Sequence, residues 1–251
     1  MAKPVALVTG ASAGLGVEFA RELSKQGYAL VLAARRKDRL EALAAELGNA
    51  RAVEIDLGRE GAATALIADV EAAGENIDLL VNNAGFGLTG RFANQEPARL
   101  REMIDLNCGA LTELCRAAAP GMVERGSGAI LNVASTAAFQ PGPGMAVYFA
   151  TKAYVLSFTE ALHEELKRHS IKVSALCPGP TATEFGEVAG FGKTIPKFAY
   201  SGAPGVVRAA LRGLDRNQAV VIPGLLNKLS GQGHRLLPRS LLRKIAGAIK
   251  F

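Results

Sequence analysis

The chain has 251 residues, of which 49% are hydrophobic, 21% charged and 6% aromatic, with a formal charge of +6 and a pI near 9.4. A chain of this length buries most of the surface its unfolded form exposes, and α/β domains of about 250 residues fold as one unit. An ordered chain with one sizeable domain is expected.

The charge is divided unevenly. Residues 1–187 hold 18 basic and 22 acidic side chains, and the remainder holds 11 basic ones against Asp215 alone. There is no tryptophan and no interleaved aromatic-basic stretch, so no nucleic-acid partner is expected for the body of the chain, and only the tail keeps that reading open. Cys108, Cys115 and Cys177 form neither a C-x-x-C pair nor an even set, which points to a reduced, cytoplasmic interior. The N-terminus lacks a cleavage pattern, and no stretch approaches the 18 or more consecutive apolar residues of a spanning helix.

In chain order, Val5 to Val8 reads as a buried strand, and Gly14 to Gln26 as a helix with Leu15, Phe19, Ala20 and Leu23 at helical spacing. Ala29 to Ala33 is the next strand, followed by a helix from about Arg39 to Leu47. Val53 to Ile55, Leu79 to Val81, Gly128 to Val133 and Lys172 to Leu176 supply four more strands. The helical stretches between them centre on Ala62 to Ala73, Arg99 to Ala118 and Ala150 to His169. Buried strands alternating with helices predict a Rossmann-type doubly wound parallel α/β sheet with helices on both faces, in a single domain. The Gly-, Pro- and Phe-rich region from about 184 to 205 reads as a lid, and 225–251 as a basic C-terminal segment.

Between the first strand and the first helix stands Thr9-Gly10-Ala11-Ser12-Ala13-Gly14-Leu15-Gly16. Its glycines permit a tight turn and close approach to a pyrophosphate, which the free N–H groups of the following helix face. Taken alone, such a turn serves packing equally well. The TGxxxGxG spacing, however, resembles that of the short-chain dehydrogenase/reductase family. Asp56, Asn82-Asn83-Ala84-Gly85, Asn107, Ser135, Tyr148-x-x-x-Lys152 and Pro178-Gly179 follow in the family's order. The resemblance covers residues 3 to 185 firmly and the rest loosely.

Cofactor choice is read at the end of the second strand, where a carboxylate would bond the adenosine ribose and repel a 2′-phosphate. Ala34 stands there, followed by Arg35 and Arg36, with Lys37 and Arg39 nearby. Guanidiniums offer paired donors and permanent charge to a phosphate, so NADP(H) is expected; a solvated charge run is the competing reading. The resemblance further implies that Gly10, Ser12, Gly14, Leu15 and Gly16 hold the pyrophosphate, that Asp56 and Leu57 flank the adenine, and that Asn83, Ala84 and Gly85 line the ribose side. Pro178, Gly179, Thr181 and Thr183 would hold the carboxamide of the nicotinamide.

Tyr148 and Lys152 lie one helical turn apart on one face. A phenol titrates near pH ~10, and a neighbouring ammonium favours its ionised form, bringing it towards a useful general acid/base. A lone Y-x-x-x-K is usually a surface pair, but Ser135, at the end of a strand facing the crevice, can reach the same carbonyl oxygen. The resemblance gives Lys152 the nicotinamide ribose as well, and gives Asn107 a water that relays protons. No metal is expected, and His163, His169 and His234 lack ligand-like spacing.

The substrate side is expected from Ala137 to Met145, Tyr148, Phe185, Phe191, Ile195, Phe198 and Tyr200. This mostly apolar lining favours a hydrophobic ketone or aldehyde, or a secondary alcohol in reverse. A 3-oxoacyl thioester reductase and a non-catalytic dinucleotide sensor are the alternatives. The family resemblance implies a homodimer or homotetramer through the helices around 99–118 and 150–169. For the tail, with Lys228, Arg235, Arg239, Arg243, Lys244 and Lys250 among leucines, three readings compete: weak membrane-surface contact, a site for a phosphate-bearing carrier, or a helix packed on its own domain or partner.

Overall fold

The computed structural model describes residues 3–190, 200–233 and 238–248. Seven parallel strands form one sheet: β1 (Val5–Thr9), β2 (Ala29–Ala34), β3 (Ala50–Glu54), β4 (Ile77–Asn82), β5 (Gly128–Val133), β6 (Ile171–Leu176) and β7 (Val220–Val221). Their order is β3-β2-β1-β4-β5-β6-β7, so the winding reverses between β1 and β4. Ligand crevices in open parallel sheets lie at such a reversal, beyond the carboxyl ends of the strands.

Alternation along β1 shows how the sheet is covered. Val5 and Leu7 pack with Ala63, Leu66, Leu111, Leu114 and Val155, from helices α3 (Ala62–Ala72), α5 (Leu111–Arg125) and α6 (Ala146–Lys167). Ala6 and Val8 face the other way, against Phe19, Leu23, Leu40 and Val207, from α1 (Gly14–Lys25), α2 (Lys37–Leu47) and α8 (Ala203–Asp215). Helix α4 (Pro97–Ile104), short helix α7 (Phe185–Ala189), and α9 (Leu225–Gly233) and α10 (Arg239–Ala248) complete the described set. Phe19 and Leu23 are fully buried on α1. Each such side chain contributes about 1.5–3 kcal/mol of transfer free energy, and this fixes the helix whose N-terminus faces the crevice.

The Rossmann-type fold is as the sequence predicts, with local differences. β3 lies at Ala50–Glu54 rather than Val53 to Ile55. It is an edge strand in which Arg51 is exposed enough to pair with Asp69 and Glu75, so no apolar run marks it. The helical stretch over 99–118 is α4 and α5 joined by a π turn at Asp105–Ala110, which changes the direction in which Asn107 points. Helix α6 begins at Ala146, four residues before the expected Ala150, and takes Tyr148 into its first turn. Strand β7 and helix α8 have no counterpart in the sequence reading. The span 184–205 opens with α7 and takes in the start of α8, whose Ala203 is already buried. Phe191, Ile195 and Phe198 lie outside the described residues.

Candidate active site

The carboxyl ends of β1 and β4 are tied together by Thr9, whose hydroxyl accepts from the backbone N–H of Asn83 and of Ala84, at 3.0 and 3.1 Å. Asn83 Nδ2 donates in turn to the carbonyl oxygens of Thr9 and Gly10, at 2.9 and 3.2 Å. The NNAG turn therefore braces the sheet where the loop leaves β1. Gly10 has φ +65°, and a Cβ there would lie 2.9 Å from the Ala84 backbone, so the turn requires glycine.

Helix α1 starts with Ala13 at its N-cap and no side-chain capping bond; Gly16 N donates to Ala13 O at 3.2 Å, and Gly14 and Leu15 ahead of it line the crevice. Gly16 lies behind the loop. It is buried in α1 and does not line the crevice; a Cβ there would collide with the Gly10 carbonyl oxygen and lie 2.8 Å from Asn83 Nδ2. Its smallness lets the helix sit on the loop.

A cavity of about 640 Å³ runs from this loop across the sheet ends. Gly10, Ser12, Gly14, Leu15, Arg35, Arg36, Asp56, Leu57, Asn83, Ala84 and Gly85 line one end, and Ser135, Tyr148, Lys152, Pro178, Gly179, Thr181 and Thr183 line the other. Of the catalytic and cofactor-binding candidates, Gly16 and Asn107 do not line it; of the expected substrate side, Ala137, Gln140, Met145, Tyr148, Phe185 and Tyr200 do. Its walls also include Phe86, Leu106, Ala137, Gln140, Met145, Phe149, Phe185 and Tyr200, which set a mainly apolar chamber around Tyr148.

Ser135 caps a short 3-10 turn over Thr136–Phe139, its Oγ accepting from Ala137 N at 3.1 Å, and its side chain faces the Tyr148 phenol. Tyr148 is 7% exposed and packs against Phe149 and Phe185, with ring centroids 6.1 and 5.5 Å away. Burial pushes its phenol up to about 12, and the Ser135 side chain pulls it partly back. Lys152 makes no contribution to that shift. The Lys152 ammonium lies 5.9 Å from the Tyr148 ring centroid and donates instead to the Val133 carbonyl at 2.8 Å. Burial brings Lys152 down to about 8. Both shifts share a cause: the apolar chamber disfavours the charged form of each group.

Asn107 has a local role that the sequence does not disclose. Its Oδ1 accepts from Phe86 N at 3.1 Å, and its Nδ2 donates to Phe86 O at 2.9 Å and Thr151 Oγ1 at 3.1 Å. The π turn thus aims a buried amide that clamps the residue after Gly85 and ties it to α6, one residue from Lys152.

At the opposite end, Arg36 donates to Ser12 Oγ and Ser12 O at 3.2 and 3.3 Å, fastening the end of β2 to the glycine loop. Arg36 and Arg39 both donate to Glu184, a cavity-lining carboxylate that the sequence reading passed over. Helix α9 packs on the 3-10 turn, and its Asn227 sits against Gly179. The start of the basic segment therefore touches the candidate site, as the reading of a helix packed on its own domain has it.

The family model of short chain dehydrogenases matches residues 4–190. The chain belongs to the short-chain dehydrogenase family. Within the family, it is 40% identical over 187 residues to the NADP-dependent 3-hydroxy acid dehydrogenase YdfG of Shigella flexneri, an alignment covering 73% of this chain and 75% of that protein. Among solved structures, a short-chain dehydrogenase from Sphingobium yanoikuyae in complex with NADPH superposes with a TM-score of 0.83 and 38% identity, covering 93% of this chain and 94% of that one. The bulky-bulky ketone specific alcohol dehydrogenase from Comamonas testosteroni gives 0.79 and 33%, covering 93% of each chain. As a short-chain dehydrogenase, the chain is an oxidoreductase acting on hydroxyl or carbonyl groups.

Proposed function

We propose that this protein is an NADP(H)-dependent reductase of hydrophobic ketones or aldehydes, oxidising the corresponding secondary alcohols in reverse. The observation that supports this most directly is one cavity with Arg35 and Arg36 at one end and Ser135, Tyr148 and Lys152 at the other. The residues present suit an extended dinucleotide: an uncapped helix N-terminus for the pyrophosphate, two guanidiniums for a 2′-phosphate, and the 178–183 turn for the nicotinamide. When bound, NADPH supplies the hydride.

The protein's own groups supply the rest. Tyr148 donates its proton to the carbonyl oxygen, and Ser135, which faces the Tyr148 phenol, holds and polarises that same oxygen. A phenol held neutral by burial is a donor throughout the neutral range. Lys152 keeps positive charge beside the tyrosine as it gives up its proton, and that proton is replenished from solvent through a water held near Asn107, whose own amide is engaged with Phe86 and Thr151. Phe86, Phe149, Phe185 and Met145 exclude water and select apolar substituents.

Two substrate readings have specific support. No cationic side chain among the described residues lines the apolar chamber apart from Lys152, which favours an uncharged ketone. The relative named as a 3-hydroxy acid dehydrogenase favours a β-hydroxy acid. An NADPH-consumption screen over ketones, steroids, aldehydes and 3-oxoacyl thioesters, with 3-hydroxy acids assayed in the oxidative direction, separates them. Turnover confined to the acids or thioesters overturns the hydrophobic-ketone reading, and NADPH binding with no turnover across the panel overturns catalysis.

The assembly proposed is a homodimer or homotetramer; Tyr154, 43% exposed and stacked on Phe158 at 5.9 Å, presents an aromatic patch on α6 for a partner copy. Three unpaired cysteines suit a reducing compartment such as the cytoplasm. Weak membrane-surface contact is proposed for α9 and α10, where Leu225, Leu226, Leu229 and Leu241 are exposed beside Lys228, Arg243 and Lys244. Arg235 and Lys250 lie outside the described residues.

A further inference from the structure

Glu184 ties together two distant parts of the chain at the mouth of the cavity. Its carboxylate accepts from Arg36 Nη1 at 3.1 Å and from Arg39 Nη1 at 2.8 and 3.1 Å, across 148 and 145 residues of sequence. The same Arg36 reaches back to Ser12 of the glycine loop. The two guanidiniums hold the Glu184 carboxyl below the usual carboxylate range, so it stays ionised at neutral pH. The next residue, Phe185, has its ring 5.5 Å from that of Tyr148, and α7 is fastened at its far end where Thr89 N donates to Ala189 O at 3.1 Å. A single short segment therefore touches the arginines with one side chain and the candidate proton donor with the next.

We propose that Glu184 is a built-in competitor for the 2′-phosphate, and that a phosphate arriving on Arg36 and Arg39 releases α7 and Phe185 from their position over Tyr148. This deepens the NADP(H) reading of Arg35 and Arg36 and rests on it. The physical basis is that a carboxylate and a phosphate compete for the same N–H donors, and two anions cannot share them without repulsion. The segment opens for a dinucleotide with a 2′-phosphate and stays latched for one without. Cofactor selection is thereby coupled to access at the substrate end. Arg39 joins Arg36 as a residue that sets cofactor specificity.

The magnitude is modest, because both arginines and Glu184 are partly exposed, with side chains 42%, 45% and 47% accessible. Two exposed ion pairs of ordinary strength correspond to about a three- to tenfold change in affinity.

The test uses calorimetric binding of 2′,5′-ADP, 5′-AMP, NADPH and NADH to the wild-type protein and to Glu184→Gln, with Glu184→Ala as a second variant. Both variants are expected to bind 2′,5′-ADP and NADPH about three to ten times more tightly than wild type and to leave 5′-AMP and NADH unchanged. Backbone hydrogen exchange over 184–190 provides a readout independent of turnover. Saturating 2′,5′-ADP, which carries no nicotinamide, is expected to speed exchange there in the wild type, whereas in the variants exchange is already fast and insensitive to it. If the wild type prefers 2′,5′-ADP over 5′-AMP but the variants bind it no more tightly, the latch is wrong and the arginine site stands. If the wild type shows no preference, the NADP(H) reading fails as well. Weaker NADH binding in the variants would make Glu184 a ribose ligand and overturn the proposal.

Discussion

Replacing Lys152 by methionine should change how stability varies with pH in a direction that follows from its burial. The ammonium is 6% exposed, donates to the Val133 carbonyl at 2.8 Å, and is brought from 10.5 to about 8 by desolvation. Between those values the unfolded chain still binds the proton and the folded chain has released it. Unfolding free energy therefore rises with pH across that window, at no more than about 1.4 kcal/mol per pH unit and by at most about 3 kcal/mol in all. Methionine removes this dependence and leaves the Val133 oxygen without its donor, a pH-independent cost of about 1–3 kcal/mol. Tyr148, raised from 10.0 to about 12, works in the opposite sense above pH 10, but it does so in both proteins and cancels in their difference. Urea unfolding at pH 7, 8, 9 and 10 should show wild type gaining stability relative to Lys152→Met as pH rises. Carbonyl reduction by the wild type should decline above pH ~8, where the ammonium is lost. A stability difference that is flat from pH 7 to 10 would refute the reasoning, because it would place the titration of Lys152 at its ordinary value.

Three further outcomes are expected. Gly16→Ala drives a methyl into the Gly10 carbonyl and should destabilise the fold by about 1–3 kcal/mol in denaturant titrations, weakening dinucleotide binding only through the displaced loop. Arg35→Asp combined with Arg36→Asp should weaken NADPH at least about tenfold in equilibrium binding while leaving NADH within about twofold, since each lost charge-assisted bond is worth about 1.5–3 kcal/mol. Leu225→Ser, Leu226→Ser and Leu229→Ser together should abolish co-sedimentation with anionic liposomes; equal sedimentation of variant and wild type would remove the membrane reading.

The sheet, and the residues that come together in the candidate site, are legible in the sequence because their signals are local. Val5 to Val8, Leu79 to Val81 and Gly128 to Val133 are short apolar runs followed by residues that line the cavity, and the TGxxxGxG and Y-x-x-x-K spacings each fit within one loop or one helical turn. What escaped depends on partners far along the chain. Helix α8 carries Val206, Val207, Ala210, Leu211 and Leu214 at helical spacing, but it opens on Ala-Pro-Gly directly after a Gly- and Pro-rich stretch that reads as loop. β7 has two residues and needs β6 beside it to exist. The role of Asn107 as a clamp on Phe86 follows from a π turn, which no residue pattern announces. Glu184 is one carboxylate in a loop, and its meaning comes from arginines more than 140 residues earlier.

The assignment of Tyr148 as proton donor is the centre of the account, and Tyr148→Phe tests it with the loss of a single oxygen. In single-turnover reduction of a ketone found by the screen, with NADPH binding measured alongside, the rate should fall by about 10²- to 10⁴-fold and the dissociation constant of NADPH should stay within about threefold of wild type. Near wild-type turnover in Tyr148→Phe would contradict the account.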